Sequence, residues 1–361
     1  MANVASSPKN SLTFLYFLLF FVPAAIAARF FNLNPAWVFV LSSLGIIPLA
    51  GLLGEATEAL ATHAGPRVGG LLNATMGNAA ELIITIFAIR AGLLELVKAS
   101  ITGSILGNML LILGASIFLG GLRNGQQKFD RGDAGLNATM SILAIIALGI
   151  PSLFSHTIDL ANHAAVEYLS LGVAGAMILI YACSLAYALL RPNVEPCEEA
   201  PHGAPHWGVW KAVVILLVAT AFIAWLSEIL VGAVEPVVHS LGVSEFFLGI
   251  IIIPLVGNAA EHLVGVQVAW KNKMDLSLAI SFGSSLQIAL FVAPLLVFIS
   301  LLMGNPLTLV FNQFELIALG AASLIATLIA LDGESNWLEG LQLLVVYFIV
   351  ALAFYFLPTG A

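Results

Sequence analysis

The five residues Gly77-Asn78-Ala79-Ala80-Glu81 recur as Gly257-Asn258-Ala259-Ala260-Glu261, 180 positions further along the chain. Each copy lies inside a long apolar stretch. An ionisable side chain inside a membrane is costly and is found mostly where it serves a function. The repetition of one glutamate in one context therefore predicts an internally duplicated membrane protein, in which two carboxylates contribute to one polar site.

The overall composition is that of a membrane protein. Of the 361 residues, 60% are hydrophobic and 9% are charged, whereas a soluble domain carries about 25% charged residues. The formal net charge is -8, and no basic patch supports a nucleic-acid partner. Cys183 and Cys197 are too few for a disulfide framework or a zinc motif. The lipid bilayer is therefore the predicted environment.

Eleven apolar segments are each long enough for a transmembrane helix, which needs about 20 residues. They cover residues 11–28, 36–62, 68–93, 97–122, 134–153, 165–190, 207–231, 246–270, 276–302, 314–331 and 337–357. The predicted fold class is an all-α integral membrane protein with eleven transmembrane helices. The first segment ends in small residues, as a cleaved signal peptide does, but its length favours a retained helix.

The two motif copies are the centres of a longer internal repeat. From Gly77 to Leu106, ten of thirty residues are identical to those 180 positions later, without a gap. Because the repeated unit contains five predicted helices, an odd number, its two copies must cross the membrane in opposite orientations. Inverted repeats of this kind place a transport site near the bilayer midplane, where the halves meet.

The predicted organisation has four parts. Residues 1–35 form an N-terminal tail and the first helix, residues 36–190 and 207–361 form the two five-helix repeats, and residues 191–206 form an acidic cytoplasmic linker. Four prolines in the linker argue against a continuous helix. Two interpretations of the linker stay open, a solvated connection and a segment that attracts cations or regulates the protein.

The distribution of lysine and arginine predicts the orientation. With the N-terminus in the cytoplasm, nine basic residues lie on the cytoplasmic side and three, Arg29, Arg90 and Lys98, lie on the other. This excess predicts a cytoplasmic N-terminus and a C-terminus on the opposite side. The absence of an evident targeting extension favours a bacterial plasma membrane, and a vacuolar or other organellar membrane is the alternative.

Oxygen donors accompany both motif glutamates. Asn78 precedes Glu81 by three residues, as Asn258 precedes Glu261, so a continuous helix would place each amide and carboxylate on one face. The small residues around them, including Gly77 and Gly257, allow close packing and local unwinding, which exposes carbonyl groups as ligands.

The following helix of each half adds further oxygen groups, from Ser104 and Asn108 in the first half and from Ser284 and Gln287 in the second. Such an oxygen-rich set suits Ca²⁺, whose coordination accepts six to eight oxygens, and it is compatible with Mn²⁺. The sequence predicts a transported divalent cation and no cofactor, and it leaves the choice among Ca²⁺, Mn²⁺ and Cd²⁺ open.

The pairing of Glu81 with Glu261 predicts competition between protons and a cation. Two close carboxylates in a low-dielectric site repel each other when both are ionised, so a proton or a divalent cation is favoured there. Proton binding and cation binding then exclude one another, which is the physical basis of proton-coupled exchange. A purely structural role, in which the glutamates bond to the opposite helix, is the alternative, and the duplication disfavours it.

Further polar residues have two interpretations each. His262 occurs in the second copy only, where it could support proton transfer or be a satisfied core histidine. The glutamates near the ends of the second and seventh segments could form vestibules or move with a gating helix pair, or they could be solvated interfacial residues. These are Glu55, Glu58, Glu228 and Glu235.

At these motifs the sequence resembles the cation/proton exchanger (CAX) family of the Ca²⁺/cation antiporter superfamily. The resemblance lies in six stretches that span the second to the ninth segment. They are GLLGEATEAL at 51–60, GNAAELIITIFAIR at 77–90, GSILGN at 103–108, GNAAEHL at 257–263, KNKMDLS at 271–277 and GSSLQIALFVAP at 283–294.

The resemblance implies Ca²⁺/H⁺ antiport by a non-enzymatic transporter with eleven helices. It implies that Glu81 and Glu261 form the central cation and proton site and that the second and seventh segments are a mobile gating pair. Sodium-coupled relatives usually carry a proline before the motif glutamate and an acid on the following helix; Ala80, Ala260 and Asn108 therefore favour protons over sodium. A Na⁺/Ca²⁺ exchanger and, from another class, a cation channel are the rival predictions.

Overall fold

The computed structural model describes residues 16–159, 163–190 and 207–357. The predicted linker at residues 191–206 and the beginning of the first predicted segment lie outside the described residues. Within those residues the fold is almost entirely helical, and the prediction of an all-α membrane protein is confirmed at this level.

Thirteen helices and one pair of short strands follow one another along the described part of the chain. The helices are α1 Leu18–Phe30, α2 Pro35–Gly65, α3 Val68–Met76, α4 Ala79–Arg90, α5 Leu94–Asn124, α6 Arg131–Asp159, α7 His163–Leu190, α8 Val209–Leu241, α9 Glu245–Gly257, α10 Ala259–Trp270, α11 Met274–Leu302, α12 Gln313–Asp332 and α13 Trp337–Tyr355. The strands are β1 Gln127–Lys128 and β2 Glu334–Ser335, which pair in antiparallel fashion.

The number of candidate membrane spans lies between eight and ten. Eight helices of the described chain are long and apolar enough to cross a bilayer, and the pairs α3–α4 and α9–α10 add two more if each pair is one span. The described part of helix α1 is shorter than the roughly 20 residues that a span needs. The predicted number of eleven and the predicted repeat boundaries therefore stay predictions.

Both motif segments are broken at the motif itself. Helices α3 and α4 meet at an angle of 40°, and α9 and α10 meet at 61°. The break falls at Asn78, with φ -101° and ψ 27°, and at Asn258, with φ -95° and ψ 5°. These angles lie in the sparsely populated bridge region, which occurs often at active sites. The predicted unwinding is present, but each asparagine precedes the glutamate's helix instead of sharing a continuous helical face with it.

Three π-helical turns interrupt the helices next to the motifs. They lie at Gly107–Ile112 in α5, at Leu248–Ile252 in α9 and at Ile288–Val292 in α11. Asn108 lies within the first turn, and Gln287 directly precedes the third. Such turns widen an α-helix locally and are frequent at functional sites.

Small residues allow the central helices to approach closely. A β-carbon at Gly45 of α2 would lie 2.9 Å from Cδ1 of Leu226 in α8, and the chain from α2 to α3 makes its most extensive contact with α8. Membrane helices associate through such close packing because lipid provides no hydrophobic force between them. Helix α8 also contacts α4, and the chain from α2 to α3 also contacts α10, so the pair lies beside both motif helices.

Candidate functional site

Glu81 is buried in the first turn of α4. Its side chain is 4% exposed, and its Oε1 atom has no hydrogen-bond partner among the described residues. A β-carbon at Gly257 would lie 2.6 Å from that oxygen. The carboxyl of the first motif therefore rests on the glycine of the second motif, in space that exists because residue 257 has no side chain.

Glu261 occupies the matching place at the beginning of α10. Its Oε2 atom accepts a 2.5 Å hydrogen bond from Oγ of Ser284 on α11. Its Oε1 atom lies 3.7 Å from the position that a β-carbon at Gly77 would take. Each glutamate is thus adjacent to the motif glycine of the other half, and the structure brings the two predicted carboxylates into one site.

The two motif asparagines connect the halves in a reciprocal manner. Nδ2 of Asn78 donates to Oε1 of Gln287 at 2.6 Å, and Nδ2 of Asn258 donates to Oγ of Ser104 at 3.2 Å. These bonds use the amide nitrogens and leave both Oδ1 atoms buried without a partner among the described residues. Unpaired buried oxygens are rare in proteins and call for a partner such as an ion or water.

The donor set at the breaks consists of carboxylate, amide and hydroxyl oxygens. No group of three or more His, Cys, Asp or Glu side chains that could hold a metal ion occurs in the described chain. The predicted combination of two carboxylates with amide and hydroxyl groups is instead what the structure assembles. Such a mixed set of hard oxygen atoms matches the preference of Ca²⁺ and is unsuited to soft metals.

An open cavity of about 360 Å³ leads to one of the two glutamates. Its walls come from α2, α3, α10 and α11, and its polar lining includes Glu55, Glu58, Glu261, Ser284 and Gln287. Neither Glu81 nor a Lys or Arg is among the described residues that line it. The cavity is thus a path lined by acidic side chains that reaches Glu261, while Glu81 does not line it.

The corresponding region on the other side of the site is closed. A β-carbon at Gly103 of α5 would overlap the carbonyl oxygen of Ile250 in α9, and one at Gly249 would lie 2.8 Å from Cβ of Ala99. Gly283 lies 180 positions after Gly103 and lines the cavity. No described heavy atom outside its own helix lies within 4 Å of a β-carbon at Gly283. Gly103 is therefore tightly packed, whereas its equivalent Gly283 is open.

Four further predicted residues are, like Glu81, not among the described lining residues of the cavity. Glu228 and Glu235 of α8 are exposed and do not line it. His262 follows Glu261 in α10, and its Nε2 atom is buried without a partner among the described residues. Nδ2 of Asn108, 1% exposed, is likewise unpaired within the described chain. The structure therefore brings only the first of the two predicted vestibule pairs, Glu55 and Glu58, to the path that reaches Glu261.

Two polar contacts near the site were not predicted. The hydroxyl of Tyr16 donates a 2.8 Å hydrogen bond to Oε2 of Glu55 at the cavity wall. Glu315 is only 1% exposed; it accepts from Oγ1 of Thr102 and from the backbone N–H of Asn312, both at 2.8 Å. Glu315 begins a helix near a segment end in the sequence, and the only available sign of its burial was the capping pattern Asn312-x-x-Glu315.

The fold and the site together define a class of protein. A bundle of helices, most of them long and apolar enough to span a membrane, contains the buried carboxyl group of Glu81 and the half-buried one of Glu261 at paired helix breaks, and a one-sided acidic cavity reaches Glu261. Broken helices that meet near the middle of a membrane protein are the usual construction of a secondary transporter's ion site.

Comparison with known proteins assigns the family. The family model described as sodium/calcium exchanger protein matches residues 34–190 and 211–356. The chain belongs to this family, and the resemblance found at the motifs is confirmed.

Similar proteins cover nearly the full chain. The Ca²⁺/H⁺ antiporter of Aphanothece halophytica is 43% identical over 97% of this chain and 98% of its own length. The Ca²⁺/H⁺ antiporter ChaA of Bacillus subtilis is 43% identical over 93% of this chain and 97% of its own length. Among solved structures, native YfkE superposes with a TM-score of 0.84 at 40% identity, covering 95% of this chain and 100% of that one.

Proposed function

We propose that the chain is a secondary transporter that exchanges Ca²⁺ for H⁺ across a membrane at a site formed by Glu81 and Glu261. The observation that carries the proposal is the set of buried, unpaired oxygens at the two helix breaks: Oε1 of Glu81 and Oδ1 of Asn78 and Asn258. The names of the similar proteins, Ca²⁺/H⁺ antiporters in two bacteria, agree with this assignment.

The exchange follows from the charge of the site. With Ca²⁺ bound, both carboxylates are ionised and their two negative charges balance the two positive charges of the ion. Without Ca²⁺, the repulsion between the carboxylates and the loss of hydration favour the protonated forms. A single site therefore carries either Ca²⁺ or protons, and the return of the empty site to the other side of the membrane requires protons.

The donors have distinct roles in this proposal. Glu81 and Glu261 bind the cation and the protons, and Oδ1 of Asn78 and Asn258 completes the oxygen set. Ser104, Ser284 and Gln287 hold these ligands through the hydrogen bonds that cross between the halves. The bonded Ser284 hydroxyl keeps one oxygen of Glu261 fixed, so the other oxygen faces Gly77 and the centre of the site.

Alternating access is supported by the difference between equivalent glycines. The packed contact of Gly103 with Ile250 closes one side, whereas the space around Gly283 opens the other. In the alternate state Gly283 would become packed and Gly103 would become free. Glu55 and Glu58 attract cations into the open cavity, and Glu228 and Glu235 perform this task when the second side opens. The pair α2–α8 is the proposed moving element.

The proposed architecture has eleven spans, with α1 as the extra first helix and inverted five-helix repeats at residues 36–190 and 207–361. The breaks at Asn78 and Asn258 and the π-turns at Gly107–Ile112 and Ile288–Val292 recur at the same offset, which supports the repeat. With the N-terminus in the cytoplasm, the cavity faces the cytoplasm and binds cytosolic Ca²⁺ for export. A bacterial plasma membrane is the proposed location.

The proposal is tested with purified protein reconstituted into vesicles, where an imposed pH gradient drives Ca²⁺ uptake in the absence of sodium. Glu81→Gln and Glu261→Gln each remove one charge from the site at constant size, and each should abolish uptake. Glu167→Gln on α7, outside the cavity, is the matched control and should transport normally. Uptake that persists in either site variant would reject the proposal.

A further inference from the structure

A second cavity, of about 270 Å³, lies at the opposite end of α2. One wall is the connection between α1 and α2, with Arg29, Asn32 and Pro35, and the facing wall is α8, with Gly232 and Pro236. It shares no lining residue with the cavity that reaches Glu261. The proposed transport cycle gives it no task.

Arg29 supplies a positive charge to this cavity. It lies in the last turn of α1 and is exposed. Arg29 forms no ion pair with any carboxylate of the described residues. An arginine on the side of the membrane with few basic residues, facing a cavity and without a carboxylate, points to an anionic ligand. The planar guanidinium matches a phosphate in both charge and geometry.

The facing wall and the connecting turn add polar groups. Pro236 has no N–H group, so the carbonyl of Gly232, four residues earlier, lacks its α-helical donor and is available at the cavity. Asn32 has a left-handed backbone, with φ 51°, which is uncommon outside glycine and positions its amide at the cavity. The cavity therefore offers a cation on one side and hydrogen-bonding groups on the other.

Large aromatic residues neighbour two lining residues of this cavity in the sequence. Phe30, Phe31 and Trp37 flank Arg29 and Pro35, and they are 79%, 70% and 63% exposed. Aromatic residues are enriched where a membrane protein passes from the hydrocarbon to the head groups. Their neighbourhood to Arg29 and Pro35 is the arrangement expected of a cavity at the level of the lipid head groups, and their exposed rings offer apolar surface to acyl chains.

We propose that this cavity binds the phosphodiester head group of a membrane phospholipid, with Arg29 on the phosphate. The aromatic side chains favour a lipid over free phosphate, because free phosphate has no apolar part to contact them. A bound head group would connect the α1–α2 turn to α8. The assignment does not depend on the identity of the transported ion.

The test is native mass spectrometry of the full chain, delipidated in detergent and titrated with dioleoylphosphatidylglycerol. Arg29→Gln removes the charge, and Gly232→Leu fills the cavity from the other wall at a position where a β-carbon meets open space. Arg90→Gln, which changes an exposed arginine that lines neither cavity, is the matched control. Inorganic phosphate is added in a parallel arm as a competitor.

We expect one lipid molecule to bind more tightly than the further lipid molecules that associate with the protein. Both cavity variants should weaken the binding of this lipid at least about tenfold, which is the size of effect expected for the loss of a hydrogen bond to a charged group. Arg90→Gln should match the unmodified chain, and millimolar phosphate should not displace the lipid. Equal lipid binding by Arg29→Gln and Arg90→Gln would overturn the proposal. Displacement by phosphate would also overturn it, by identifying a free-anion site. If Arg29→Gln fails to fold, unchanged binding by Gly232→Leu is the overturning result.

Discussion

The Oε1 atom of Glu81 lies 2.6 Å from the position that a β-carbon at Gly257 would occupy. The carboxyl of the first motif thus fills the space left by the glycine of the second. Gly77 and Glu261 form the reciprocal contact at 3.7 Å. Glu81 therefore needs a glycine at position 257, whereas a β-carbon at Gly77 would meet Glu261 at an ordinary contact distance and would instead crowd the Asn73 carbonyl at 2.9 Å and Oε1 of Gln287 at 3.2 Å.

Gly257→Ala should strongly impair transport, because a methyl group cannot share this space with Glu81. The carboxyl group must rotate or α4 must shift, and either change spoils the cation site. We expect at least a tenfold loss of Ca²⁺ uptake in vesicles with a smaller effect on thermal stability. Gly172→Ala, at an exposed position of α7 with open space around its β-carbon, is the control and should be neutral. Normal uptake by Gly257→Ala would show that the contact is unimportant.

Gly103→Ala and Gly283→Ala should shift the access equilibrium in opposite directions. A methyl group at Gly103 would overlap the Ile250 carbonyl, so it disfavours the present state, in which that side of the site is closed. A methyl group at Gly283 fits in the present state, but it disfavours the alternate state, in which the cavity is closed. Overpacking that costs about 1–3 kcal/mol changes the equilibrium constant between the two access states by about 5- to 150-fold.

This shift is measurable as the alkylation rate of a cysteine introduced by Ala279→Cys, a cavity-lining position, in a background without Cys183 and Cys197. Gly103→Ala should slow labelling from the cavity side, and Gly283→Ala should maintain or accelerate it. Identical rates in both variants would contradict the assignment of these glycines to opposite gates.

Tyr16→Phe should change cation attraction at the cavity without removing transport. The hydroxyl group occupies one oxygen of Glu55, so its loss frees that carboxylate for incoming cations. A hydrogen bond of about 0.5–1.5 kcal/mol predicts a decrease in the apparent KM for Ca²⁺ of about twofold or more, with kcat unchanged. Tyr168→Phe, on an exposed tyrosine of α7, should leave KM unaltered. A higher KM in Tyr16→Phe would show that Tyr16 assists cation entry instead.

Glu315→Ala should destabilise the protein. The side chain is buried and joins the beginning of α12 to Thr102 of α5 through hydrogen bonds from both. Hydrogen bonds to charged groups contribute about 1.5–3 kcal/mol each, so the midpoint of thermal unfolding in detergent should fall by several degrees. Glu167→Ala, outside this network, is the comparison variant. An unchanged midpoint would mean that Glu315 is solvated and contributes little.

The sequence predicted which residues lie close together better than it predicted their local backbone geometry. The repeated Gly-Asn-Ala-Ala-Glu motif identified both carboxylates, and the structure brings them together with Ser284, Gln287 and both asparagines. The placement of Asn78 and Glu81 on one helical face was wrong, because α4 begins after Asn78. In a chain whose residues are mostly apolar, periodicity cannot locate a helix break that depends on packing between the halves.

Other features depend on contacts that are distant in the sequence. The bond from Tyr16 to Glu55 joins residues 39 positions apart, and that from Thr102 to Glu315 joins residues 213 positions apart. The π-turns likewise have no composition that separates them from the surrounding α-helix. Gly103 is tightly packed and Gly283 is open in this conformational state. Because the two glycines have matching sequence contexts, the sequence could not predict this difference in packing.

The central claim is that Ca²⁺ and protons use one site in turn, and simultaneous flux measurement tests it most directly. Ca²⁺ and internal pH are recorded together in sodium-free vesicles that contain the unmodified chain. The account predicts that an outward proton gradient drives Ca²⁺ uptake, that each Ca²⁺ entering is matched by proton exit, and that a protonophore abolishes net uptake against a Ca²⁺ gradient. Ca²⁺ movement without proton counterflow, or uptake that requires a sodium gradient, would contradict it.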